Sequence, residues 1–229
     1  MTAAELMKEL NQDSEFVRRR QELDKHFDSL GERLAQAEKP LVQALNDVVG
    51  VSVKSVWDLV NTAQNYEQAI PVLIAQLKYE YPFRIREGIA RALTVKGAGE
   101  AAYRVLVNEF EKLPDSTDAA QQGFKWALGN AISIVADRDH FDEVVDLIRD
   151  KRHGRFRDMM VLRLSDLDPN RAVDVLMELL SDDEVAGHAI VALGKLKVQR
   201  ARPQLLRMTN HATPWVRKEA GKALAELDK

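Results

Sequence analysis

The sequence predicts an all-α fold, a right-handed superhelix (solenoid) of stacked helix pairs, and three observations carry that reading. Aromatic residues make up only 6% of the chain, and glycine, proline and β-branched clusters are few, which favours helix over sheet. No segment keeps a strict apolar–polar alternation, so no strand is indicated. Most telling, one apolar pattern returns along the chain from residue 49 onward.

The pattern is anchored on Ile85, Phe124, Phe156, Val185 and Val216, which are separated by 39, 32, 29 and 31 residues. Eight positions after each anchor stand Leu93, Ile132, Leu164, Leu193 and Leu224. Twenty and twenty-one positions after the first four come Val105-Leu106, Val144-Val145, Leu176-Met177 and Leu205-Leu206. Trp57, Val60, Val72 and Leu73 form a weaker copy ahead of them. Each unit thus reads as two amphipathic helices joined by a short connection such as "KGAG" (96–99) or "LDPN" (167–170). The long 39-residue step contains "LPDSTDAAQQG" (113–123), which reads as an extended loop between repeats. A helix pair this small cannot bury its own apolar face, whereas copies stacked on one another can.

The residues before 49 differ. Phe16, Leu23, Phe27, Leu30, Leu34, Ala37 and Leu41 follow alternating three- and four-residue steps, interrupted by Arg20 and weakened by Gly31. Asp13 or Ser14 supplies the N-cap. A short coiled-coil dimer could use this seam, but about three heptads favour a helix packed over the open end of the repeats. The expected organisation is an N-terminal helical cap (1–48) and a repeat domain (49–229) of five to six helix pairs, with a monomer favoured.

Composition narrows the classes of function. A chain of 229 residues, 45% hydrophobic and 30% charged, can bury a sizeable core. No apolar run approaches the roughly 20 residues of a membrane span. "MTAAELMKELNQDSEF" lacks the basic and apolar regions of a secretory signal, so a cytoplasmic protein is the simplest reading. The absence of cysteine removes disulfides, thiolate metal sites and cysteine nucleophiles. A net charge of −3 argues against nucleic acid as the main partner.

"DDEVAGHAIVALGKL" (182–196) and "TPWVRKEAGKALAEL" (213–227) resemble HEAT repeats, particularly the short bacterial HEAT-like kind also found in phycobilin lyases. The resemblance covers roughly residues 50–229 and implies that the second helices line a groove where solenoids bind partners. It also bears on a recurring cation. The residue after each anchor is Arg86, Lys125, Arg157 or Arg217, with Ala186 the exception. A cation in a first helical turn opposes the helix dipole, so its recurrence requires a compensating partner. In HEAT-like proteins a basic residue here pairs with acids of adjacent loops, for which Asp118, Asp150 and Asp182 are candidates.

Signs of catalysis are scarce. The histidines at 26, 140, 153, 188 and 211 never form an i,i+4 pair, and no Gly-x-Ser-x-Gly elbow occurs. Asp137, Asp139, His140 and Asp142 gather in "DRDHFDE", which reads more simply as an acidic helix start than as a metal site. "GAGE" (97–100) follows no strand and carries no lysine, so it is a loop rather than a phosphate cradle. "KRHGRFR" (151–157) could take an anion, but a solvated loop offsetting the acidic helix before it is the simpler account. HEAT-like DNA glycosylases place tryptophan beside a carboxylate on a basic surface; here Trp126 has Asn130 one turn on. For Trp57, Trp126 and Trp215 packing is the expectation.

The surface of the second helices suggests a binding patch. Positions 18 and 22 after the anchor hold Asp142 and Asp146 in one unit, Asp174 and Glu178 in the next. Stacked in register, these four carboxylates would converge and attract a basic protein or peptide. The expected function is a non-catalytic protein-interaction module with no cofactor and no metal, nucleic acid being an unlikely partner. The alternatives are an enzyme of the bilin-lyase or DNA-glycosylase kind, or a nucleic-acid binder.

Overall fold

A computed structural model of the chain describes residues 1–48, 50, 52–114 and 116–229. Val49, the expected start of the repeat domain, and Asp115, inside the 113–123 stretch, lie outside the described residues. The described residues form an α-solenoid without strands.

The repeats alternate first and second helices. The first helices are α4 (Phe83–Ala92), α6 (Ala119–Val135), α8 (Asp158–Leu167), α10 (Ala186–Lys195) and α12 (Pro214–Leu227). The second helices are α3 (Ile70–Gln76), α5 (Gly99–Lys112), α7 (Phe141–Arg149), α9 (Pro169–Glu178) and α11 (Arg202–Met208). In the weak first copy the first helix shrinks to one 3-10 turn, Val56–Leu59, which packs on α4. The 113–123 stretch is less loop than expected. Asp118 accepts the backbone N–H of Gln121 and starts α6 at Ala119, so five of its residues are helical.

The anchors Ile85, Phe124, Phe156, Val185 and Val216 are all buried. So are Leu93, Ile132, Leu164 and Leu193, while Leu224 is only partly covered. Leu205 is buried, yet its neighbour Leu206 is 53% exposed. The pattern thus loosens in α11 and α12.

The two helix layers pack differently. Successive first helices lie directly on one another, α4 on α6, α6 on α8, α8 on α10 and α10 on α12. Gly194 permits one such approach, since a Cβ there would stand 2.9 Å from the Cβ of Ala223 on α12, and Gly129 lets α6 meet the turn before α8, where a Cβ would stand 2.4 Å from the carbonyl oxygen of Phe156. Successive second helices α5, α7 and α9 instead touch through long side chains. Arg104 reaches Glu143 with both carboxylate oxygens at 2.7–2.8 Å, and Arg149 reaches Glu178 at 2.7 Å.

The N-terminal segment comprises α1 (Ala3–Leu10) and the 33-residue α2 (Ser14–Asn46), capped by Asp13. Leu34, Ala37, Glu38, Leu41 and Leu45 of α2 pack against the solenoid. The buried Glu38 carboxylate accepts from the backbone N–H of Val56 at 2.6 Å and the Ser55 hydroxyl at 3.0 Å, which seats the 3-10 turn. The heptad-spaced Leu23, Phe27 and Leu30 remain exposed, Phe27 at 62%. Of the α2 stripe, only the last part is covered by the repeats.

Candidate interaction face

The recurring cations have a common function that sequence spacing alone could not show. Three of them reach back to the carbonyls that end the preceding second helix, and Arg217 reaches those of the loop after α11. The Arg157 guanidinium donates to the Ile148 carbonyl at 2.7 Å and to Asp182 at 2.9 Å. Lys125 donates to the Leu113 carbonyl at 3.0 Å, and Arg217 to those of His211 and Ala212 at 2.7 and 2.8 Å. Arg86 pairs with Glu109 and approaches the Leu77 carbonyl. Arg86, Lys125 and Arg157 thus compensate the negative end of another helix, although Lys125, the seventh residue of α6, lies past the first turn where the sequence pattern places it. The acid partner is Asp182 for Arg157 but Glu109, on a second helix, for Arg86; Arg217 caps carbonyls alone. Asp118 serves as an N-cap, and Asp150 pairs with Arg152.

The four predicted carboxylates lie exposed on α7 and α9, interleaved with arginines. Asp142 pairs with Arg171, Asp174 with Arg200 and Glu178 with Arg149. Asp146 lies beside Arg149, whose pKa the Glu178 hydrogen bond raises. The second-helix surface is therefore a ladder of alternating charge between units.

The other sequence candidates disperse. His140 is buried, with Asp137 at 2.7 Å on one nitrogen and Glu100 at 2.7 Å on the other. Asp137 caps the turn that leads into α7. Among the described residues no cluster of three or more acids and histidines is placed to hold a metal. "KRHGRFR" divides about Gly154: His153 packs on Phe110, Arg157 is 1% exposed, and Arg152 turns out to Asp150. Burial pushes the His153 imidazole below its ordinary pKa.

A continuous face on the first helices has a different character. Arg84, Glu87 and Arg91 fall on one side of α4, and the nearly buried Glu87 carboxylate takes Arg84 at 3.1 Å and Arg91 at 2.8 Å. The Arg84 guanidinium lies 3.7 Å from the Trp57 ring centre, and Arg91 stands 5.9 Å from Trp57 and 5.1 Å from Trp126. Between α6 and α8 opens a cleft of about 430 Å³, lined by Gln122, Trp126, Arg155, Phe156 and Asp158 among others. Asp158 faces His188 of α10 at 3.9 Å, and the His188 ring lies 4.8 Å from that of Trp215 on α12. Trp215 is 42% exposed and covers Gly187 so closely that a Cβ there would stand 1.9 Å from the ring. Burial raises the Asp158 pKa and lowers that of His188.

All three tryptophans of the chain sit in this row. The sequence held a signal for it. Glu87, Trp126 and Asp158 stand two positions after their anchors, and Arg84, Arg155 and Trp215 one position before. The recurrent cation lies between those positions and points the other way.

The fold is an α-solenoid built from stacked helix pairs. Residues 181–229, which contain α10, α11 and α12, match the family of HEAT repeats. No curated protein and no solved structure matches the chain. No described helix is long and apolar enough to cross a membrane.

Proposed function

We propose that the protein is a non-catalytic interaction module that binds a protein or peptide along the exposed side of its first helices. The gathering of Trp57, Trp126 and Trp215 with Arg84, Arg91 and Arg155 on that side carries the reading. Tryptophan and arginine dominate the energetics of protein interfaces because they bury large areas and keep a polar handle. In a stack of two layers, the layer with the closer helix approach lies inside the bend, and close approach here belongs to the first helices. That supports a groove on the first-helix side rather than one lined by second helices. HEAT repeats at the C-terminal end agree with a scaffold of this kind.

The test compares two double variants in affinity capture from the source cell, with quantitative mass spectrometry. Trp126→Ala/Trp215→Ala should lose the partner that the parent captures, and Asp146→Lys/Glu178→Lys should retain it. The reverse pattern would move the binding site to the second helices.

A further inference from the structure

We propose that the cleft between α6 and α8 receives a lysine or arginine side chain of the protein partner, its stem along Trp126 and Phe156 and its charge at the Asp158 carboxylate. The proposal rests on the interaction-face reading and specifies what that face recognises.

The charges along the row single out Asp158. Glu87 holds two arginines, Asp166 holds Lys195 and Arg163, and Glu219 holds Lys222. Among the described residues the only ion-pair contact of Asp158 is His188, at 3.9 Å, beyond hydrogen-bonding distance. Burial lowers the pKa of that imidazole against the pull of the carboxylate, and the 3.9 Å gap leaves Asp158 without a hydrogen-bonded cation. A partly buried carboxylate without a cation is unfavourable, and a cation supplied by a ligand relieves it.

The walls fit the same guest. Trp126 and Phe156 offer aromatic surface to an aliphatic stem, and a ring face beside a carboxylate favours ammonium or guanidinium. Arg155, at the same cleft, makes no ion pair with Asp158, although its charge works to lower the carboxyl's pKa: it donates to Gln122 at 3.2 Å and lies 5.7 Å from the Phe156 ring centre. An anionic guest would meet the carboxylate head-on, and a purely apolar one would desolvate it with only the Met159 N–H, at 2.5 Å, as a hydrogen-bond donor.

The experiment follows the indole N–H signal of Trp126 by ¹H–¹⁵N NMR in the full chain. N-acetyl-lysine methylamide and N-acetyl-arginine methylamide should shift it saturably at millimolar concentrations. N-acetyl-norleucine methylamide, of similar stem but uncharged, should bind at least about tenfold more weakly, a margin of one unit in log K. Asp158→Asn should abolish the preference for the charged probes. Gln122→Lys, which places a cation at the cleft from within, should do the same, and serves if the first variant fails to fold. Equal response to the neutral probe, or undiminished preference in a folded variant, overturns the proposal. If the probes do not bind while Trp126→Ala/Trp215→Ala still loses the partner, the cleft assignment falls and the interaction face stands.

Discussion

Arg157 joins the end of one helix to the start of the next: its guanidinium donates to the Ile148 carbonyl at 2.7 Å while pairing with Asp182 at 2.9 Å. The side chain is almost wholly enclosed, so both contacts operate without competition from water. The pair ties α7, α8 and the turn before α10 into one junction.

Removing one partner of such a pair leaves a buried charge alone. Arg157→Ala is expected to destabilise the fold by about 3–5 kcal/mol, and Arg157→Lys by less, since lysine keeps the charge but loses the fork. Urea denaturation of the three proteins measures the order. Equal stability of Arg157→Ala and the parent would show that the junction contributes nothing.

The same junction sets an acid dependence. Burial alone would raise the Asp182 pKa, but hydrogen bonding and charge from Arg157, with the Glu184 N–H, outweigh it and hold the carboxyl below its ordinary value. A carboxyl lowered in the folded state adds stability above its unfolded pKa of about 3.9, and that contribution is lost as pH falls through the folded value. The stability gap between the parent and Asp182→Asn should therefore be full at pH 7 and narrow progressively below about pH 4. A gap independent of pH from 7 to 3 would contradict this.

Core truncation should report position in the stack. Leu164→Ala, at a fully buried position in the middle unit, is expected to cost about 2–5 kcal/mol. Leu224→Ala should cost distinctly less, because Leu224 is only partly covered. Equal losses at the two sites would mean that the last unit is as well covered as the middle one.

Two glycines separate backbone contact from side-chain contact. Gly129→Ala pushes a methyl group against the Phe156 carbonyl, which the backbone cannot readily yield, and should destabilise by about 1–3 kcal/mol. Gly187→Ala meets the exposed ring of Trp215, which can swing away. Its expected signature is a shift in tryptophan emission with little change in the melting temperature. A large loss of stability at Gly187 would mean that Trp215 is locked in place.

The second-helix ladder should be nearly silent in stability. Arg149–Glu178 and Arg171–Asp142 are exposed pairs, and such pairs contribute about 0–1 kcal/mol. Replacing both arginines with glutamine should leave the melting temperature within about 1–3 °C of the parent. A larger drop would show that the ladder fixes the stacking of units.

Much of this fold was legible in the sequence. The anchors and the residues eight positions on are apolar because a small helix pair must bury one face against its neighbours, and that demand imprints a period on the chain. A cation in the first turn was visible for the same reason, as an apparent violation of the dipole that had to be offset somewhere. The sequence could not say where. Arginine spans several ångströms through flexible bonds, so its partner depends on how far one unit is offset and turned on the next. Asp142, Asp174 and Glu178, spaced as an acidic field, met arginines from adjoining units, while Asp158 and the three tryptophans came to one face. Apolar burial is non-directional and needs only the right side of a helix, so the sequence by itself determined the repeats. Ion pairs and clefts need particular atoms within a few ångströms, so only the tertiary structure decided the surface.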